Sequence, residues 1–221
     1  MNADPGILCF AHCGPRVFCF QLPEHCPVCH APLAGEATSV TPFRVPYPFV
    51  KASQYPCSIL MKPTHGDFLQ DYKLNQDLHI GVTTSHGKVI EFDQHGIHTS
   101  RAQDWQQCIL IKQMTDESWV DYWDQTLDQV SKQESWTPEK YNEETFNCYT
   151  FVLVFARCLH YSDMSAHAIS REQFCSHYVT PKTVTACKYI CLYRKIQDGG
   201  FYVNHEYDDH VGMNLLDHHH S

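Results

Sequence analysis

Three groups of residues in this 221-residue chain have the types and spacing for chemistry. The first is Cys148 in "NEETFNCYTFVLVFARCL" (142–159), where an asparagine precedes a cysteine and an apolar run follows. Asn147 is a favoured helix N-cap, and Phe151, Val152, Phe155 and Leu159 recur behind it at helical spacing. Cys148 then falls in the first helical turn. There the positive end of the helix dipole and unpaired backbone N–H groups favour a thiolate and can hold an oxyanion. A cysteine nucleophile needs both, although a small buried cysteine used only for packing would look the same in sequence.

A nucleophilic thiol also needs a base. "DLHIGVTTSHGKVIEFD" (77–93) reads as a β-hairpin in which Ile80 and Val82 alternate with His79, Gly81 and Thr83. Ile90 and Phe92 likewise alternate with Val89, Glu91 and Asp93. A three-residue "SHG" loop with Gly87 in the left-handed position pairs Val82 with Ile90 and sets Thr84 opposite Lys88. One face is then apolar, and His79, Glu91 and Asp93 share the other. His79 is the expected base, with Glu91 or Asp93 to orient it. His95 in "DQHGI" is a backup base that also suits a turn, and sixteen histidines make chance pairings easy.

The third group is "FAHCGPRVFCFQLPEHCPVCH", whose Cys26-Pro-Val-Cys29 is a C-x-x-C knuckle. "RVFCF" reads as a short strand between that knuckle and His12-Cys13-Gly14. Two turns presenting soft donors across a small hairpin are the ingredients of a zinc ribbon, and so short a segment rarely folds without a staple. The expected ligands of a structural Zn²⁺ are His12, Cys13, Cys26 and Cys29, with Cys9, Cys19 and His30 competing for the fourth place. Adjacent side chains such as His12 and Cys13 tend to diverge. The alternative is a metal-free hairpin with buried thiols.

The elements that must position these groups divide the chain into four parts. Residues 1–33 form a zinc-ribbon-like module. Residues 34–56, with Pro42, Pro46 and Pro48, read as a connector. Residues 57–205 form an α+β domain, and 206–221 a loose polar tail. In the domain, "SILM" and "QCILIKQ" (107–113) read as strands. Residues 117–133 read as an amphipathic helix carrying Trp119, Trp123, Leu127 and Val130 behind a Thr115 cap. Helices are also expected in "SREQFCSHYV" and "VTACKYICLYRKIQDGG". Cys158 lies ten residues after Cys148, on another helix face, and is expected in the core.

With 43% hydrophobic and 19% charged residues the chain suits a sizeable core. A net charge of −9 disfavours nucleic acid and acidic membranes as partners. The N-terminus lacks the basic and apolar regions of a signal peptide, and no run approaches a membrane helix. Twelve cysteines then point to a reducing intracellular setting, cytoplasmic or nuclear.

"DLHIGVTTSHGKVIEF" followed far downstream by "NCYTF" resembles the circularly permuted papain-like thiol enzymes, among them NlpC-type peptidases, lecithin:retinol acyltransferases and PPPDE peptidases. The resemblance implies an antiparallel sheet with helices, Cys148 as nucleophile and His79 as base. Glu91 stands where the acyltransferases usually carry a histidine, so this chain departs from the pattern at the third member. Over nearly the whole chain, "FAHCGPRVFCFQLPEHCPVC", "NCYTFVLVFARC" and "KYICLYRKIQDGGFYV" resemble the makorin-2 opposite strand family. That resemblance implies an intracellular setting and no particular activity. Two functions remain open from the sequence. The first is a non-catalytic scaffold that binds a protein partner; the second is a hydrolase or acyltransferase using Cys148 and His79.

Overall fold

A computed structural model of the chain describes residues 5–35, 37–73 and 75–205; the tail expected over 206–221 lies outside them. The strands are β1 (Leu8–Ala11), β2 (Arg16–Cys19), β3 (Val40–Arg44), β4 (Phe49–Val50), β5 (Ser58–Pro63), β6 (Leu78–Thr83), β7 (Val89–Asp93), β8 (Gly96–Thr99), β9 (Cys108–Gln113) and β10 (Phe201–Asn204). The helices are α1 (Val120–Ser131), α2 (Cys148–Cys158), α3 (Ser162–His167), α4 (Arg171–Phe174) and α5 (Thr180–Gly199). All paired strands are antiparallel, so the class is α+β. Among the described residues, contacts group those up to 48 with those from 185 onward and set 49–184 apart as a second unit.

The first unit carries a four-stranded sheet in the order β10-β2-β1-β3. Phe10, Val17 and Cys19 form its buried cluster, with Leu8, Leu33 and Val203 packed on it. The boundaries expected from sequence differ here in two places. Within residues 34–56, expected as a connector, Val40–Arg44 forms a strand that pairs with β1. Pro42 is tolerated there because β3 is an edge strand, where a missing N–H costs no ladder bond. Residues 201–204, expected in the larger domain, instead pair with β2, Phe201 opposite Cys19.

The second unit holds a six-stranded sheet, β4-β9-β5-β6-β7-β8. Its first strand, Phe49–Val50, also comes from the expected connector. The β6–β7 hairpin has the register read from its loop: Val82 pairs with Ile90, and the Thr84 N–H donates to the Lys88 carbonyl at 2.9 Å. Gly87 has φ +71°, and a Cβ there would also meet the Ser53 carbonyl oxygen at 2.6 Å. Both faces of the hairpin are covered. Phe92 packs edge-on against Trp136 and Phe146, while Val89 packs with Trp105, Leu60 and Cys108.

A 3₁₀ turn, Glu117–Trp119, precedes α1. Its cap is therefore Asp116, not Thr115: the Asp116 carboxylate accepts from the Ser118 N–H at 2.9 Å. Trp123, Leu127 and Val130 are buried as the helical spacing predicts, and the Trp123 indole N–H donates to the Thr83 carbonyl at 2.8 Å. Phe151, Val152, Phe155 and Leu159 are fully buried, which makes α2 the central helix of this unit. Cys158 is only partly buried. The helices expected over 170–179 and 184–200 run together through a π-helical turn, Cys175–Val179.

Candidate functional site

Cys148 is the first residue of α2, and local chemistry fixes it there. The Asn147 side chain accepts from the Tyr149 N–H at 3.0 Å, and the Thr150 hydroxyl accepts from the Asn147 N–H at 3.2 Å, closing a capping box. The Asn147 amide also donates to the Glu143 carbonyl at 2.5 Å. Upstream, Asn142 and Phe146 exchange backbone hydrogen bonds of 2.9 and 3.0 Å. Phe146 stacks on Trp136, which meets Phe151 edge-on. The entry to α2 is thus pinned by polar bonds and by aromatic packing. The Cys148 N–H belongs to the first turn, whose amides have no intrahelical acceptor.

His79 comes from β6 and is buried. Its Nε2 lies 2.7 Å from Oε2 of Glu91 on the neighbouring strand β7. The ring N–H is not aligned along that line, since Nε2 has no partner of full hydrogen-bond geometry. The contact is therefore a close electrostatic pair more than an aligned hydrogen bond. With Nε2 turned to Glu91, Nδ1 is the nitrogen that the Cys148 sulfur can engage. Burial disfavours a charged ring, but the neighbouring Cys148 and the Glu91 carboxylate outweigh it and raise His79 from 6.5 to about 9.

Glu91 is likewise buried, which alone would raise its pKa. His79 and the Ser100 hydroxyl, which donates to Oε1, reverse this and hold the carboxyl at about 2. Trp105 Nε1 lies 3.4 Å from the same oxygen and His98 Nε2 lies 3.5 Å from it. Lys62, opposite His79 on β5, places its ammonium 5.1 Å over the Trp105 ring. Glu91 is accordingly an anion held close against the imidazole.

Cys148, His79 and Asn147 line one cleft of about 80 Å³ with Tyr141, Tyr149 and Arg171. Burial raises Tyr141 to about 12, so its phenol stays a donor at neutral pH. Chemically, the set can activate a sulfur, present amide and phenol donors to an oxyanion, and return a proton through one imidazole. His95 is not part of it: the residue is exposed and its N–H closes a turn on Asp93 at 2.7 Å. Sequence reasoning missed Ser100, Trp105, Tyr141 and Arg171. The one signal for the first two was a buried carboxylate needing donors beyond a single histidine.

In the other unit, one donor atom from each of His12, Cys13, Cys26 and Cys29 lies within 4.8 Å of the rest. The Cys13 and Cys26 sulfurs are 3.8 Å apart, and His12 Nδ1 is 3.2 Å from the Cys29 sulfur. A tetrahedral Zn²⁺ with 2.0–2.3 Å bonds sets its donors roughly 3.5–3.8 Å apart, so the cluster fits such an ion. Gly14, at φ +118°, lets the chain turn so that adjacent His12 and Cys13 both reach the cluster. The knuckle is closed by the His30 N–H on the Cys26 carbonyl at 2.8 Å. Cys9 and Cys19 face the sheet core, where burial raises both to about 11.

Among the described residues, no helix is long and apolar enough to cross a membrane. No solved structure matches the chain. The chain is similar to the human MKRN2 opposite strand protein, with 32% identity over 204 residues covering 91% of each. Two family models match, "DUF4796 N-terminal" over residues 5–33 and "DUF4796 C-terminal" over residues 42–196. Together the two models cover most of the chain, and the makorin-2 opposite strand resemblance holds: the chain belongs to the DUF4796 family.

Proposed function

We propose that residues 49–184 act as a cysteine-dependent hydrolase or acyltransferase, with Cys148 as nucleophile, His79 as acid and base, and Glu91 orienting the ring. The observation that carries this is one buried imidazole that lines the same cleft as a first-turn cysteine and lies 2.7 Å from a buried carboxylate. His79 takes the thiol proton, and the sulfur adds to a carbonyl carbon to give a tetrahedral oxyanion. The Cys148 N–H and the hydroxyl of Tyr141, which lines the same cleft, are the donors proposed for that oxygen. Collapse expels the leaving group, which receives the proton from His79, and leaves an acyl-thioester. Water or another nucleophile then removes the acyl group, with His79 as base. The permuted papain-like likeness of the sequence supports the same reading.

A non-catalytic scaffold that binds a protein partner is the second reading. It is favoured by the 5% exposure of Cys148 and the 80 Å³ cleft, which admits little more than one carbonyl group. Competitive labelling separates the two. Limiting iodoacetamide at pH 6.5, read peptide by peptide, alkylates Cys148 ahead of the other cysteines if the thiol is activated, and His79→Ala abolishes that preference. Labelling ordered only by exposure would leave the scaffold reading.

His12, Cys13, Cys26 and Cys29 are proposed to hold one structural Zn²⁺, on the strength of four donor atoms that lie within 4.8 Å of one another. Native mass spectrometry should find one zinc per chain, absent in Cys26→Ser. Protein prepared without chelators and free of zinc would refute this.

A further inference from the structure

A larger hollow adjoins the Cys148 cleft. It measures about 310 Å³ and shares Asn147, Tyr149 and Arg171 with that cleft. Thr150, Leu153 and Arg157 form its floor, three and four residues apart along one face of α2. Arg171 closes one end, its guanidinium 4.2 Å over the Tyr149 ring. Stacked in this way, the group keeps in-plane N–H donors for a ligand. Arg157 spends one donor on the Ala168 carbonyl at 3.0 Å and retains others. The Cys148 cleft itself carries Asp77 and Glu143.

Two guanidiniums, Arg157 and Arg171, therefore line the hollow, Arg171 lining the Cys148 cleft as well, whereas Asp77 and Glu143 line the cleft alone. In a chain of net charge −9, paired arginines beside the nucleophile stand against the overall balance. Glu144 also lines the hollow and offsets only part of that charge. Thr150 and Leu153 leave space for a short aliphatic stem, and the guanidinium forks match a planar carboxylate.

We propose that this hollow is a substrate subsite for a carboxylate, so that the acyl substrate is peptide-like and carries an acidic group next to the bond attacked by Cys148. The proposal rests on the thiol-enzyme reading above. Substrates lacking that group reach the sulfur but are not held.

Three chloroacetamide probes test it, identical except for an arm ending in a carboxylate, a neutral amide or an amine. In each, the Cys148 sulfur forms a bond to the methylene carbon and chloride leaves. The carboxylate arm is expected to label Cys148 about tenfold faster than the amide arm, with the amine arm slowest. Arg157→Gln and Arg171→Gln should each lower the carboxylate-to-amide ratio several-fold. Arg171→Glu should turn the preference toward the amine arm, a gain that a misfolded chain cannot give. Selective labelling of Cys148 by the amide arm, with no preference among arms or a preference unmoved by all three variants, would overturn the subsite alone. Absence of selective labelling by the amide arm would overturn the thiol-enzyme reading, and the subsite with it.

Discussion

Glu91→Gln preserves side-chain shape and removes one charge, which makes it the cleanest probe of the triad. At the 2.7 Å separation of Nε2 and Oε2, two unit charges attract by about 6 kcal/mol at an effective dielectric of 20. Burial of the ring offsets much of this. The net rise of His79 from 6.5 to about 9 corresponds to about 3 kcal/mol. Cys148 and Glu91 share that net effect, so loss of the carboxylate should lower His79 by at least about one pH unit. The readout is the His79 ring resonance followed by NMR against pH, assigned by its absence in His79→Gln. Stability should follow. A histidine raised in the folded state contributes fully below 6.5 and loses that contribution as pH rises through about 9. Glu91, lowered from 4.5 to about 2, contributes above 4.5 and loses it as pH falls through 2. The unfolding free-energy difference between wild type and Glu91→Gln should therefore be largest near pH 4.5–6.5 and shrink toward pH 9. An unchanged His79 titration, or a stability difference flat from pH 5 to 9, would refute the coupling.

Gly81→Ala would bring its Cβ to 2.9 Å from the Trp105 ring and 3.0 Å from Val89, both packed in the sheet. It should destabilise the protein by about 1–3 kcal/mol in urea titrations, and a neutral result would mean that Trp105 is not held as described. Asn147→Ala removes the α2 cap and its bond to the Glu143 carbonyl. It should cost about 1–2 kcal/mol of stability, read from the thermal midpoint; no measurable loss would argue against a structured entry to α2.

The parts of the fold legible in the sequence were those set by short-range rules. Asn147 announced the start of α2 because a cap is a local signal, and "SHG" set the hairpin register because loop length leaves one alignment that keeps Ile90 opposite Val82. That register put His79 and Glu91 on one face before any coordinates. What stayed hidden was non-local. Pro42 masked β3, which needs its place at a sheet edge to be tolerated. Nothing near Phe201–Asn204 reveals a strand whose partner lies about 180 residues earlier. Ser100 and Trp105 come from the residue just after β8 and from a 3₁₀ segment, neither of which has periodicity to read. Arg171 reaches the cleft from the start of α4, a placement set by packing against α2.

The most direct measurement is acyl transfer to Cys148 itself. The protein, incubated with p-nitrophenyl acetate, should release a burst of one nitrophenolate per chain. Intact and peptide mass spectra should then place one acetyl group on Cys148, and the adduct should disappear with time. His79→Ala should slow the burst strongly and Cys148→Ser should abolish it. Acetylation spread over several cysteines, or a burst unchanged in Cys148→Ser, would contradict the assignment of Cys148 as a nucleophile.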